Sequence, residues 1–344
     1  MTLIALAAAL FMGEIALRAY HVLRDGTAQQ LRFIELGDRL GWKATANYQV
    51  RYRLRGADAA QQTITYSSVG DGFRVWGDVS TTRPKLLIIG DSFTQAVNIP
   101  TEKTYAALLS KALDVEVFSY GGGGFGTLQQ LMVLEDVIDK INPDVVLLQF
   151  CSNDFINNSF QLESKSKINN NRLLRPYLGS SGEIFYRNPS FENALLSNLF
   201  QTSRLFNRLA GRLHMPFGES IEALIARNPG HPDFRASIAV TQRLLDGVKQ
   251  TVGNKRKLLV FTADAARTRI ATLPEAYQSY AGVAEQALMQ ILATLQIPYI
   301  AGVPDALADM EAKGAVVKAS DGAHWNELGH KLVAEELHKS AAFR

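Results

Sequence analysis

The chain of 344 residues contains a series of short, continuous apolar runs, and this series is what most restricts its fold. The runs are Lys85–Gly90, Val115–Ser119, Asp144–Phe150, Arg256–Thr262 and Ile297–Ile300. Apolar runs of this length are typical of strands that are buried on both faces of a sheet. Helical patterns at 102–113, 127–141, 235–252, 274–295 and 326–338 separate or follow them. This alternation predicts an α/β fold, in which helices cover both faces of a parallel sheet.

Two segments do not follow this alternation. Residues 46–67 alternate polar and apolar side chains and are predicted to form two short antiparallel strands, within an N-terminal β extension at 21–82. Residues 156–232 lie between the third and fourth strands. This segment is too long for an ordinary crossover, so we interpret it as an insertion or lid. Its helical patterns lie at 194–213 and 220–227, and nine Lys and Arg against five Glu give it a basic character.

The composition excludes several classes of protein. A single Cys rules out an intrachain disulfide framework and any Cys-rich zinc or iron–sulfur site. The six His show no metal-ligand spacing, so we expect neither a metal nor another cofactor. A net charge of +3 is too small to indicate nucleic-acid binding.

The N-terminus carries an apolar run from Leu3 to Gly13, which makes residues 1–20 a candidate membrane anchor or signal segment. Its eleven residues are short for a membrane span, which needs about 20. A signal-peptide core has this length, but no basic residue precedes the run and no clean cleavage site follows it. A single anchor, a cleaved signal and a soluble helix packed on the domain all remain open.

Two groups of residues could supply a nucleophile and its base. Ser92, in Gly90-Asp91-Ser92, follows a predicted strand, so its hydroxyl should lie at the carboxyl edge of the sheet, where open α/β folds bind ligands. His324 precedes the last helix and follows Asp321 by three positions. A carboxylate at that spacing can fix the tautomer of an imidazole whose other nitrogen faces a hydroxyl. Taken singly, each group is equally compatible with a helix cap or a surface loop.

Two further groups could supply hydrogen-bond donors at the same edge. The glycine-rich loop at 121–126 follows the second strand and can turn bare backbone N–H groups toward an oxygen. It also matches the Gly-x-Gly-x-x-Gly dinucleotide fingerprint, but Asp144 opens the next strand, whereas the acidic residue of that fingerprint lies at the strand's end. Asn153 follows the third strand and could donate a side-chain amide N–H.

In the order Ser, Gly, Asn and Asp-x-x-His, these residues resemble the SGNH (GDSL-type) hydrolase superfamily. The resemblance covers 83–155 and 233–344 and implies a three-layer α/β/α sandwich with a flavodoxin-like, five-stranded parallel sheet. It implies Ser92 as nucleophile, His324 as general base and then acid, and Asp321 as the group that orients His324. It also implies an oxyanion hole formed by the Ser92 N–H, the Gly124 N–H and the Asn153 side chain.

The sequence departs from the superfamily at two positions outside this set. Cys151 stands where the third block usually begins with Gly, and Ser119 stands where the second block often has Asn. We interpret Cys151 as a small buried side chain at a strand end. Asp91 and Asp154 are interpreted as braces of their loops rather than as catalytic groups.

The expected activity is that of a serine esterase that removes, or transfers, O-acetyl groups on carbohydrate through an acyl-enzyme intermediate. We expect Trp325 to stack on the substrate and Arg172, Arg175 and Tyr177 of the insertion to contact an acylated, anionic carbohydrate polymer. Hydrolysis of lipid or short-chain esters or thioesters is an alternative, and so is an inactive polysaccharide-binding module. We expect a membrane-anchored protein whose catalytic domain is periplasmic or extracellular, with a cytoplasmic location as the alternative.

Overall fold

The computed structural model describes residues 12–16, 33–37, 39–55, 61–189, 219–268, 275–340 and 343. Its strands are β1 Ile34–Gly37, β2 Gly41–Ala44, β3 Gln49–Arg55, β4 Gln61–Ser67, β5 Lys85–Gly90, β6 Glu116–Gly121, β7 Val145–Phe150, β8 Arg175–Leu178, β9 Ile184–Arg187, β10 Lys257–Thr262 and β11 Tyr299–Ile300. Its α-helices are α1 Ser92–Gln95, α2 Tyr105–Leu113, α3 Thr127–Ile141, α4 Asn153–Asn157, α5 Phe160–Glu163, α6 Ile221–Arg227, α7 Pro232–Val252, α8 Glu275–Leu295, α9 Gly302–Ala312 and α10 Glu327–Lys339.

The centre of the fold is a parallel sheet with the strand order β11-β10-β7-β5-β6. All five strands coincide with the apolar runs in the sequence, and the predicted α/β/α sandwich is confirmed. Gly90 at the end of β5 pairs with Gly121 at the end of β6, and Phe150 at the end of β7 pairs with Thr262 of β10. The loops that follow these strands therefore meet at one edge of the sheet.

Alternation along the strands divides the core into two layers. Leu87 and Ile89 of β5 point into the layer that contains α3, α7 and α8. Leu86 and Ile88 point into the other layer, which contains α2, α9 and α10. The β5 side chains are almost completely buried on both faces, which is why the strand is apolar without interruption.

The N-terminal extension forms two antiparallel hairpins, β1–β2 and β3–β4. The β3–β4 hairpin agrees with the two strands predicted within 46–67, whereas the β1–β2 hairpin was not predicted. Buried Arg74 ties this part to the loop after Ser92, because its guanidinium donates to the carbonyls of Ala96 and Ile99 at 3.3 and 3.0 Å. Burial lowers the pKa of Arg74 to about 10.

The insertion is described at 156–189 and 219–232, where it forms α5, the β8–β9 hairpin and α6. The helix predicted at 220–227 is present as α6, and the one predicted at 194–213 lies entirely outside the described residues. Of the candidate anchor at 1–20, only residues 12–16 are described, and they are helical. Within the described ranges, no helix combines the length and the apolar character needed to cross a membrane.

Helix α9 was not predicted from the sequence. Gly302 and Pro304 at its start favour a loop when the sequence is read alone. Proline is nevertheless compatible with the first turn of a helix, where its missing N–H would have no intrahelical partner. Val303 and Leu307 then pack into the layer formed by α2 and α10, so burial stabilises a helix that its first residues do not indicate.

Candidate active site

Ser92 begins α1 directly after β5 and is half-buried at the carboxyl edge of the sheet. The preceding residue, Asp91, caps the helix by accepting a hydrogen bond from the Phe93 N–H at 2.9 Å. Gln149 of β7 accepts hydrogen bonds from the Asp91 N–H at 3.1 Å and from the Thr94 hydroxyl at 2.8 Å. The turn that presents Ser92 is thus held from a neighbouring strand as well as by its own cap.

Ser92, His324 and Asp321 form a continuous hydrogen-bonded chain. The Ser92 Oγ lies 2.8 Å from His324 Nε2, and His324 Nδ1 lies 2.6 Å from Asp321 Oδ2. Because an ionised carboxylate can only accept, the proton of a neutral imidazole is on Nδ1, which leaves Nε2 free to accept the Ser92 proton. The sequence placed these three residues in one site, and the structure brings them within hydrogen-bonding distance.

The Asp321 carboxylate is held ionised by several donors. Partial burial acts to raise its pKa, but the His324 side chain and the Ala323 and His324 N–H groups hold that pKa well below its usual range. The two N–H groups each donate to Asp321 Oδ1 at 3.0 Å. Asn98 Nδ2 donates to Oδ2 at 2.7 Å, a contact that sequence reasoning missed because 223 positions separate the two residues. The carboxylate can therefore stabilise an imidazolium at His324.

The loop at 122–125 exposes one backbone donor. The Phe125 N–H donates to the Gly122 carbonyl at 3.0 Å and Gly124 has φ of +73°, as in a type II β-turn with Gly123 and Gly124 at its centre. The Gly122 N–H donates to the Gly90 carbonyl, and the Gly123 N–H donates to Gln95 Oε1 at 3.0 Å. Among the described residues, the Gly124 N–H has no protein acceptor, so it is the donor of this turn that can bind a substrate oxygen.

Asn153 starts α4, immediately beyond β7, and its side chain is oriented by two other asparagines. Asn157 donates through Nδ2 to the Asn169 carbonyl at 2.8 Å, so its Oδ1 is turned toward Asn153. Asn153 Nδ2 donates to that Oδ1 at 3.2 Å. An amide nitrogen carries two hydrogens, and the second remains for another acceptor.

Three of the expected substrate contacts are wrong, because their side chains are buried. Trp325 is 1% exposed and packs against Phe93 and Tyr105, with ring centroids at 4.7 and 6.0 Å. Arg175 and Tyr177 are buried inside the insertion, where both donate to the Glu163 carboxylate, at 2.7 and 2.9 Å. These three side chains cannot stack on or bind a polymer at the surface.

Arg172 is the one expected contact that is exposed, and it adopts a left-handed conformation with φ of +57°. Its N–H donates to Asn170 Oδ1 at 2.9 Å, and its carbonyl accepts from Asn188 Nδ2 at 3.0 Å. The backbone of Arg172 is thus fixed, while its side chain faces solvent.

Three buried acidic side chains lie next to residues of the site. Burial raises the pKa of Asp91 to about 6 and raises the pKa values of Asp154 and Asp264. Asp154 accepts from the Thr127 hydroxyl at 3.2 Å, and Asp264 accepts from the Ser152 N–H at 2.8 Å.

Cys151 is 4% exposed, and burial raises the pKa of its thiol well above the usual value. No group of three or more His, Cys, Asp and Glu side chains in the described part of the chain could hold a metal ion.

Comparison with known proteins gives a family match over most of the chain. A family model described as "GDSL-like Lipase/Acylhydrolase" matches residues 86–337. An arylesterase of Vibrio mimicus is 35% identical over 80 residues, which are 22% of this chain and 40% of that enzyme. The match thus spans less than half the length of this curated relative.

Solved structures of low sequence identity are also similar. A member of the lipolytic G-D-S-L family from Veillonella parvula is 13% identical, with a TM-score of 0.42 over 73% of this chain and 94% of its own. The acetyl xylan esterase AlAXEase is 16% identical, with a TM-score of 0.42 over 74% of this chain and 97% of its own. A variant of Axe2, an acetylxylan esterase from Geobacillus stearothermophilus, is 13% identical, with a TM-score of 0.41 over 76% of this chain and 96% of its own.

Proposed function

Because the chain belongs to the GDSL-like lipase/acylhydrolase family of ester hydrolases, we propose that it is a serine esterase whose nucleophile is Ser92. The observation that carries the proposal is the hydrogen-bonded chain from Asp321 through His324 to Ser92, at 2.6 and 2.8 Å. A serine becomes a useful nucleophile when an adjacent base is itself oriented by a third group, and this chain has that form.

In the proposed mechanism, Ser92 Oγ attacks the ester carbonyl as His324 Nε2 takes its proton. Asp321 stabilises the resulting imidazolium through the Nδ1 hydrogen bond. His324 then returns the proton to the departing alcohol, and the acyl group remains on Ser92. Water attacks the acyl-enzyme with His324 again as the base, which releases the acid; another hydroxyl in place of water would give acyl transfer.

We assign the oxyanion hole to the Ser92 N–H, the Gly124 N–H and the Asn153 side chain. Two donors support this assignment, because both follow strands that neighbour β5: the Gly124 N–H, which has no acceptor among the described residues, and the second N–H of Asn153 Nδ2. Donors that are fixed in advance stabilise the negative charge of the tetrahedral intermediate by about 3 to 4 kcal/mol each.

For the substrate, we propose a small acyl group, such as acetyl, on a bulky hydrated alcohol such as a carbohydrate. This choice is supported by the exposure of the base, since the side chains of His324 and Asp321 are 31% and 38% exposed. A polymer can approach a base at the surface, whereas a long acyl chain is stabilised by a buried apolar channel. The exposed Arg172 gives the insertion a cation that is available to an acidic sugar.

The nucleophile is tested with a fluorophosphonate probe that reacts with activated serines. We expect labelling of the wild type and none of Ser92→Ala, and hydrolysis of 4-nitrophenyl acetate that falls on the order of a thousandfold in His324→Ala. Ser67→Ala is the matched control and should label as the wild type does, because the Ser67 hydroxyl is hydrogen-bonded to Thr101 Oγ1 at 2.9 Å rather than to a histidine. Equal labelling of wild type and Ser92→Ala would refute the role of Ser92.

The substrate class is tested by acetate release from an acetylated polysaccharide, compared with hydrolysis of 4-nitrophenyl esters of increasing chain length. The proposal expects acetate release and a rate that falls steeply beyond short acyl chains. Faster turnover of long-chain esters would replace it by lipid ester hydrolysis. Polysaccharide binding without any Ser92-dependent turnover would identify a binding module.

A further inference from the structure

Trp42, in the N-terminal extension, contacts the turn that carries the Gly124 N–H. Its indole Nε1–H donates to the Gly123 carbonyl at 2.8 Å, across 81 positions of sequence. The side chain is 0% exposed and is fixed by the edge of the Phe125 ring, with centroids 6.0 Å apart, and by the Arg175 guanidinium 4.7 Å from its ring centre. The family match begins at residue 86, so Trp42 lies outside the matched region.

The Gly123 carbonyl and the Gly124 N–H belong to the same peptide group. In a trans peptide these two groups point in opposite directions, so a donor that binds the carbonyl fixes the direction of the N–H. A type II turn differs from a type I turn by a flip of this central peptide. Because both central residues are glycines, side chains do not prevent the flip, and the turn needs an external contact to favour one orientation.

The neighbouring groups of the turn are held as well. Gln95 accepts from the Gly123 N–H at 3.0 Å and donates through Nε2 to the Phe33 carbonyl at 2.9 Å, which fixes the direction of the Gln95 amide. On the other side, Arg175 and Asn171 of the insertion both donate to the Gly124 carbonyl. Among the described residues, only Trp42 donates a hydrogen bond to the central peptide between these two anchors.

We propose that Trp42 is a positioning residue, whose indole N–H holds the Gly123–Gly124 peptide so that the Gly124 N–H faces the substrate oxygen. This inference rests on the proposed function, because it makes the N-terminal extension complete the oxyanion hole. Trp42 does not touch the reacting atoms; it acts through the orientation of one peptide group.

The test is Trp42→Phe, which removes the indole N–H and keeps an aromatic ring between Phe125 and Arg175. Loss of an oxyanion donor lowers kcat by about 100- to 1,000-fold, so partial loss of its orientation should lower kcat by roughly tenfold. We expect KM to change less than twofold and the pH profile to stay unchanged, because His324 and Asp321 are not affected. Trp76→Phe is the matched control, since half-buried Trp76 packs on Phe73 and Phe118 away from the turn.

Hydrogen exchange of the backbone over 121–126 gives a second readout that does not depend on activity. The proposal expects faster exchange there in Trp42→Phe and not in Trp76→Phe. If the phenyl variant does not fold, 3-benzothienylalanine at position 42 replaces only the N–H by sulfur and gives the same comparison.

The outcomes separate the two proposals. Wild-type kcat in Trp42→Phe, or unchanged exchange at 121–126, overturns the role of Trp42 even if Ser92 is the nucleophile. Absence of Ser92-dependent esterase activity in the wild type overturns the proposed function instead, and with it the proposed role of Trp42 in catalysis. A selective fall in kcat together with faster exchange supports the inference.

Discussion

The buried ion pair between Arg175 and Glu163 leads to a prediction about stability. Arg175 Nη1 lies 2.7 Å from Glu163 Oε2, and both side chains are 0% exposed. Glu163 also accepts from the Tyr177 hydroxyl at 2.9 Å and from the Asn171 N–H at 3.3 Å. Removal of one partner of such a pair leaves an uncompensated buried charge, which costs about 3 to 5 kcal/mol. We therefore expect Arg175→Met to lower the free energy of unfolding by about that amount at pH 8.

The double variant Arg175→Met/Glu163→Gln should recover part of this loss. It has no buried carboxylate, and coupled sites typically deviate from additivity by about 0.5 to 3 kcal/mol. The free energy of unfolding is measured by urea titration with tryptophan fluorescence. Arg187→Met is the matched control, because Arg187 stands opposite Arg175 in the register of the β8–β9 hairpin and its side chain is exposed. Arg187 lies 4.7 Å from the Phe160 ring centre, so its replacement should cost about 0.5 to 1 kcal/mol and no more.

The pH dependence gives an independent check. Burial raises the pKa of Glu163 and Arg175 opposes that rise, so the pKa should increase further in Arg175→Met. A carboxyl whose folded pKa lies above its unfolded pKa contributes stability at low pH, and that contribution is lost as pH rises through the folded pKa. Relative to the wild type, Arg175→Met should thus regain stability between pH 8 and pH 5. A double variant no more stable than Arg175→Met, or a loss under about 1 kcal/mol in Arg175→Met, would refute the argument.

Further predictions concern the site itself. Asn98→Ala removes a donor to the Asp321 carboxylate and should lower kcat/KM for 4-nitrophenyl acetate roughly three- to tenfold, by about 1 kcal/mol of lost hydrogen bonding; an unchanged value would show that the contact does not orient His324. Because burial raises the pKa of Asp91 to about 6, its contribution to the free energy of unfolding should increase as pH falls from 7 to 5, whereas buried His330, with a pKa lowered to about 3, acts in the opposite direction. The wild type should therefore gain stability relative to Asp91→Asn over this range, as followed by thermal unfolding of both proteins at each pH. Burial and a raised thiol pKa should keep Cys151 unreactive toward iodoacetamide at pH 7 in the folded protein, as measured by mass spectrometry. Rapid alkylation in the absence of urea would contradict its buried position.

The sequence predicted the sheet and the principal site because both depend on short segments. Each central strand is an apolar run, and Ser92 follows directly from the end of one of them. Asp321 and His324 are three positions apart, so their pairing is visible without tertiary information. Strand ends of a parallel sheet share one edge, which is enough to predict that Ser92, Gly124 and Asn153 lie near one another.

The remaining contacts depend on burial and on pairing across the chain, which local sequence does not specify. Trp325, Arg175 and Tyr177 have side chains that suit a carbohydrate site equally well, but they are enclosed by Phe93 and Glu163, which no local pattern indicates. Trp42 gave no signal in the sequence because its acceptor lies 81 positions away. Long-range hydrogen bonds of this kind require the structure.

The distance along the chain between Ser92 and His324 has a consequence for biosynthesis. These residues are 232 positions apart, and His324 reaches its place only when α10 packs on α2, where the Tyr105 N–H donates to His330 Nδ1 at 3.1 Å. At about 5 to 20 residues per second, the ribosome makes the serine roughly 12 to 46 s before the histidine. In the proposed mechanism, the nascent chain therefore carries an unactivated hydroxyl for most of its synthesis, and chains that end before α10 would be inert rather than uncontrolled hydrolases.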